Sequence, residues 1–231
     1  DKLIDINKNQ SEFFSNRVTA LMVDTKNQLW IGNLGIKIYD IHSQQFIDFS
    51  PKGSADALNG SYDVRSILES RDGNSIWIGT EGGGLLKYNL TNDSIYLFNK
   101  NNGLQGNSVH QLQEDAHGNI WISSNHGISK LNITTNNFRN YDMSDGLQSN
   151  QFSYNASLKS TSGKLYFGGV NGFNSFFPDS IKDNHHIPPV RITKFLLFNK
   201  EVDIGKENAV LEKHIMLTDE LTLPFRSAFT F

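Results

Sequence analysis

"SIWIGTEGGGLLKYN", residues 75–89, puts a tryptophan inside an alternating apolar run and follows it at once with three consecutive glycines. Alternation at period two reads as a half-buried strand, and the glycine cluster after it reads as a turn where backbones come close. The same phrase recurs as "QLWIGNLG" (28–35), "NIWISSNHG" (119–127) and "KLYFGGVNG" (164–172). The aromatic of each copy, Trp30, Trp77, Trp121 and Tyr166, falls 47, 44 and 45 residues after the one before. That period suits a four-stranded propeller blade.

Helical repeats of similar length exist, so texture decides. In the second copy "VRSILES", "SIWIGT", "LLKYN" and "SIYLFN" are strand-like runs separated by "RDGN", the glycines and "LTND". The third copy repeats the plan, and neither sustains the i, i+3, i+4 spacing of a helix. Each unit is therefore read as an antiparallel meander. A ligand platform is needed once but a wedge between blades is needed every time, so the recurring aromatics are assigned to packing. The predicted fold is all-β: four-stranded antiparallel propeller blades, followed by the start of a β-sandwich.

Composition narrows the function. The 231 residues carry 21 basic and 24 acidic side chains, well mixed, for a net charge of −3. No basic stripe points to nucleic acid or anionic lipid. With no cysteine, disulfides, thiolate metal sites and cysteine nucleophiles are excluded. No apolar run approaches the roughly 20 residues of a membrane span, so membrane attachment is expected only through segments outside this sequence.

The copies "VRSILESRDGNSIWIGTEGGGLLKYN" (64–89) and "GLQGNSVHQLQEDAHGNIWISSNHGISKLN" (103–132) resemble the two-component regulator propeller repeat found in the sensor regions of bacterial hybrid histidine kinases. "NRVTALMVDTKNQLWIGNLGIKIYD" (16–40) matches with Asn27-Gln28 in place of the usual Gly-Asn turn, and "TSGKLYFGGVNGFNSFFPDSI" (161–181) is similar to the last blade of such propellers. "HIPPVRITKFLLFNKEVDIG" (186–205) and "LTLPFRSAFTF" (221–231) resemble the opening of the Y-Y-Y domain, a β-sandwich that links propeller to membrane in these receptors. The expected organisation is the outer strand of a preceding blade at 1–15, blades at 16–62, 63–107, 108–150 and 151–187, and a truncated Y-Y-Y domain at 188–231. Family propellers are usually seven-bladed, so a fragment of such a ring is expected; pairing of "KLIDIN" (2–7) with the fourth copy would instead close four blades.

The resemblance further implies a periplasmic sensor region that detects an oligosaccharide or other small molecule. It also implies a homodimer through the full ectodomain, signalling to a kinase outside these residues, with no cofactor and no metal. Antiparallel order puts the turn between a blade's second and third strands on the same rim as the connection to the next blade. These loops vary between copies, as binding loops on a rigid scaffold do. The candidate ligand-binding residues are Asn33, Glu81, Asn125, His126 and Asn171 from the turns, with Ser61, Tyr62, Asn107 and Asn150 from the connections. Amides, a carboxylate and a phenol can hydrogen-bond hydroxyls and stack a sugar ring. For Asn107 and Asn150, set in the recurring "GLQGN" and "GLQSN", the competing reading is a side chain that holds its own loop.

Catalytic motifs are absent: there is no G-x-S-x-G, no H-E-x-x-H and no phosphate-gripping loop, and no catalytic residue is assigned. His185 and His186 are adjacent on an extended segment, where they point opposite ways and cannot share a metal. A propeller lyase or hydrolase is the alternative. Its acid and base would come from inner-strand positions such as Arg65, Glu69, His110 and Gln113. A protein–protein scaffold ranks behind both because the loops are polar.

Overall fold

The structure is a computed structural model that describes residues 17–53, 63–181, 194–197, 200–202, 204–205, 211, 213–218, 220–223 and 229–230. The chain divides into two compact units, Asp1–Ile181 and Lys182–Phe231. Ser61 and Tyr62, the proposed pairing of "KLIDIN" and the His185–His186 pair all lie outside the described residues.

Among the described residues of the first unit, four antiparallel sheets follow one another. The first runs β1 (Ala20–Val23), β2 (Gln28–Asn33), β3 (Gly35–Asp40), β4 (Gln45–Ile47) in spatial order. The second is β6 (Val64–Glu69), β7 (Ser75–Thr80), β8 (Gly84–Asn89), β9 (Ser94–Phe98), and β5 (Lys52–Gly53) adds to its outer edge parallel to β9. The third is β10 (Gln111–Glu114), β11 (Ile120–Ser123), β12 (Ile128–Asn132), β13 (Asn137–Tyr141). The fourth has three described strands, β14 (Phe152–Lys159), β15 (Leu165–Gly169) and β16 (Gly172–Phe176). Sequence placed Lys52 and Gly53 in a connection; two residues carry too little pattern to show a strand.

The tryptophans are wedges. Trp30, Trp77 and Trp121 are each 1% exposed, a common depth in three successive sheets. One apolar cluster combines Trp30, Ile36 and Ile38 of the first blade with Val64, Ile76, Ile78 and Leu86 of the second. The next joins Trp77, Leu85 and Phe98 to Leu112, Ile120, Ile122 and Leu131, and a third joins Trp121 and Ile128 to Phe152, Leu165 and Phe167. Each ring buries about 200 Å², on the order of 5 kcal/mol of gross transfer free energy before ordering costs. Radial stacking follows, because each sheet covers the apolar face of the one before.

In the first two blades the glycine two residues after the tryptophan lets the next inner strand approach. A Cβ on Gly32 would come within 2.6 Å of Val64 Cγ1, and one on Gly79 would strike Val109 and the Ser66 hydroxyl. Gly84 meets a different need: its φ of +95° turns β7 into β8 in the left-handed region that glycine tolerates.

At the rim of the first-to-second and third-to-fourth strand turns, a residue ending one inner strand grips the preceding blade. Glu69 accepts from Thr25 N (2.8 Å) and Thr25 Oγ1 (2.7 Å), Glu114 accepts from Arg71 N (2.7 Å), and Lys159 Nζ donates to the Glu114 carbonyl (2.6 Å). The second unit is described only in short pieces: β17 (Leu196–Leu197) lies between β18 (Lys200–Glu201) and β19 (Phe229–Thr230), with Phe195, Leu211 and Ile215 buried.

Candidate functional site

At the opposite rim, polar side chains from three blades meet on the inner strands. Two irregularities aim them. The register of β6 against β7 shifts between Val64 and Ser66, at Arg65, and that of β14 against β15 shifts between Phe152 and Ser157, around Tyr154. Asn155, next to Tyr154, has φ +54°, a conformation asparagine adopts more readily than most residues. Such bulges redirect side chains out of the regular alternation.

Glu81, in the turn between β7 and β8, is the centre. Its Oε2 accepts the Tyr154 phenol at 2.8 Å and lies 3.6 Å from Arg65 Nε, while its Oε1 accepts the Ser108 hydroxyl at 3.0 Å. Arg65 also pairs with Asp63 at 3.2 Å, and its guanidinium lies 4.5 Å from the centre of the Tyr154 ring. The His110 ring packs 4.3 Å from that of Tyr154, and His110 Nδ1 bonds the Phe152 carbonyl at 2.8 Å.

Burial pushes the His110 pKa down, with Arg65 and His126 adding to it against the Phe152 carbonyl and Glu81, so the ring is held towards its neutral form. Nδ1 then carries the hydrogen that the carbonyl accepts. Burial also raises the Tyr154 pKa, and the bond to Glu81 raises it further. The mouth thus holds a carboxylate, a guanidinium, a neutral imidazole and a phenol, a set that can bind hydroxyls from several directions. Deeper in, Gln113 Nε2 donates to Ser157 Oγ (2.8 Å) and Gln111 Nε2 to Asn155 Oδ1 (3.2 Å).

The other sequence candidates have different surroundings. Asn33 ends β2 and is 2% exposed, so it lies within the blade rather than on the rim surface. Asn107 Oδ1 accepts from Lys100 N (3.0 Å) and Asn150 Oδ1 from Met143 N (2.9 Å), two equivalent bonds that hold the one-turn 3-10 segments Lys100–Asn102 and Met143–Asp145. Asn125 Oδ1 lies 2.6 Å from His126 Nδ1, and Asn171 binds Gln148 through both its amide N and its side chain. Of the inner-strand set, Glu69 is engaged by Thr25 at the far rim and Gln113 by Ser157; Arg65 and His110 converge with Glu81. Sequence reading missed Tyr154 and Ser108. The signal at Tyr154 was slight, an aromatic beside an αL-prone asparagine in an inner strand.

Among the described residues no group of three or more His, Asp or Glu side chains is placed to hold a metal, and no helix is long and apolar enough to cross a membrane.

Successive four-stranded blades wedged by tryptophan, with polar groups gathered at one mouth, define a β-propeller. More narrowly, residues 12–35, 58–82 and 103–126 match the two-component regulator propeller family. The chain is 35% identical over 217 residues to histidine kinase P4 of Formosa agariphila, which spans 93% of this chain and 16% of the relative. Its structure is similar to the extracellular domain of BT3049 of B. thetaiotaomicron, named as a hybrid two component system (30% identity, TM-score 0.69, 81% of this chain and 25% of that one). It is also similar to the extracellular domain of BT4673 from the same organism (25% identity, TM-score 0.59, 71% of this chain and 23% of that one). The chain spans a quarter or less of the length of these relatives.

Proposed function

We propose that this chain is part of the extracytoplasmic sensor region of a two-component receptor and that the rim around Glu81 contacts its ligand. The observation that carries the reading is the convergence of Glu81, Arg65, Tyr154 and His110 from three blades on one mouth. Likeness to the extracellular domains of BT3049 and BT4673, each named as a hybrid two component system, and to a histidine kinase supports the sensor role and its placement outside the cytoplasm. The ligand class that fits is an oligosaccharide released by glycan breakdown, whose hydroxyls suit the mixed donors and acceptors. Residues 188–231 are read as the opening of a Y-Y-Y domain that passes the signal towards a kinase in the remainder of the protein. Ligand preference for one homodimer arrangement would drive the switch. This region itself carries out no turnover.

Calorimetric titration of a glycan panel against the complete ectodomain tests this. Binding weakened at least tenfold by Glu81→Gln and by Tyr154→Phe is the expected result. Unaltered affinity in both variants removes the rim from the reading, and release of shortened glycan would establish an enzyme instead.

A further inference from the structure

On the far rim, between the second and third blades, a cleft of about 280 Å³ is lined by Ser70, Arg71, Trp77, Lys87, Glu114 and Gly118 among others. The chain contains its own reference for this position, because each blade builds the equivalent corner. In the first blade Asp24 Oδ2 accepts the Trp30 indole N–H at 2.9 Å, and in the third Asp115 Oδ2 accepts that of Trp121 at 2.9 Å. Both carboxylates sit on the residue whose N–H closes the turn back to the carbonyl two residues before the tryptophan (Asp24 to Gln28, Asp115 to Asn119).

The corresponding pairs are Ser70 to Ser75 in the second blade and Ser160 to Lys164 in the fourth. In the fourth blade the aromatic is Tyr166, which has no indole N–H to satisfy. The second blade alone of the four combines a serine with a tryptophan. The Ser70 hydroxyl is occupied with Asp72 Oδ1 and Ser75 N. Trp77, 1% exposed, therefore has no acceptor for its Nε1–H among the described residues, and it is one of the residues that line the cleft. The cation that accompanies Trp121, Lys130 at 5.5 Å from its ring, has its counterpart in Lys87 at 5.2 Å from Trp77. The second blade thus keeps the indole and the lysine but lacks the carboxylate.

We propose that this cleft is a binding site for a small carboxylate, such as a uronic acid or a hydroxy acid, whose oxygen takes the place of the absent aspartate on Trp77 Nε1 with Lys87 as counter-charge. The two acidic side chains lining it already have donors of their own: Asp72 accepts from Ser70 and Asn74, and Glu114 accepts from Arg71 N. The cleft is separate from the Glu81 rim, and its test does not depend on that rim.

The test uses the complete ectodomain labelled with 5-fluorotryptophan, with the Trp77 resonance assigned by its disappearance in Trp77→Phe. Glucuronate and acetate are titrated against glucose as the neutral control. Saturable movement of the Trp77 resonance by the two carboxylates, little movement by glucose, and at least tenfold weaker binding in Ser70→Asp, which returns an internal carboxylate to the corner, are expected. Glu81→Gln should leave this binding unchanged. A Trp77 resonance unmoved by both carboxylates, equal response to glucose, or full binding retained in a folded Ser70→Asp protein overturns the proposal, the cleft then holding water alone.

Discussion

The Tyr154 phenol donates to Glu81 Oε2 across 2.8 Å, joining positions 73 residues apart and bridging the second and fourth blades over the third. Replacing Glu81 by Ala removes the acceptor of both Tyr154 and Ser108 and leaves Arg65, whose side chain is 13% exposed, with Asp63 as its acidic partner. We expect destabilisation of about 2 kcal/mol. Tyr154→Phe should cost about 1 kcal/mol, since only one hydrogen bond is lost. Calorimetric melting of the ectodomain checks both, and the two losses should not add because the residues share one network.

His110 gives this mouth a pH dependence. Its folded-state pKa lies below the ordinary value of 6.5 because burial disfavours the charged ring. The unfolded chain therefore binds the extra proton first, and stability falls as pH drops below about 6.5 towards the folded-state pKa. In His110→Gln the slope across that window should flatten. Unfolding measured between pH 7.5 and pH 5 reads the difference.

Asp115 acts in the opposite part of the scale. Burial pushes its pKa up, but donors from Asn119, Trp121 and His117 together outweigh burial and hold the carboxyl below its ordinary value of 3.8. Its contribution is present above that value and is lost as pH falls through the lower folded-state pKa. Asp115→Asn should cost about 2 kcal/mol at neutral pH, and its difference from the parent should shrink below pH 4. An offset that stays constant into acid would contradict the assignment.

Gly79→Ala tests the packing reason for the glycine after the wedge. The added methyl meets Val109 and the Ser66 hydroxyl, and overpacking of this kind costs about 1–3 kcal/mol. Combining it with Val109→Ala should recover part of the loss, a coupling that thermal melting of the four proteins of the cycle detects.

Asn107→Ala should lower stability by about 1 kcal/mol, as loss of a cap does, because its carboxamide oxygen accepts from Lys100 N. Asn150→Ala should do the same through Met143 N. If these residues hold loops and do nothing else, ligand affinity measured on the folded variants stays within about twofold.

The repeat itself determined the blades. A tryptophan at intervals of 47 and 44 residues, an alternating run around it and glycine in the turn that follows are local and periodic signals, and each was legible without any contact being known. The structure put the three tryptophans at one depth, in the contacts between blades. Glu81, too, was legible as a residue in a turn on the rim whose loops vary between copies. What surrounds Glu81 was not, because Arg65 and Tyr154 are aimed by register shifts in β6 and β14, and a one-residue slip reverses the face of a side chain without altering composition. The parallel pairing of Lys52–Gly53 with β9, the burial of Asn33 and the lack of an acceptor for the Trp77 indole N–H among the described residues were likewise decided only in three dimensions. Period and alternation specify which strands form and in what order; the partner of any single polar atom depends on how neighbouring blades stack, a relation between positions more than 40 residues apart that no local pattern encodes.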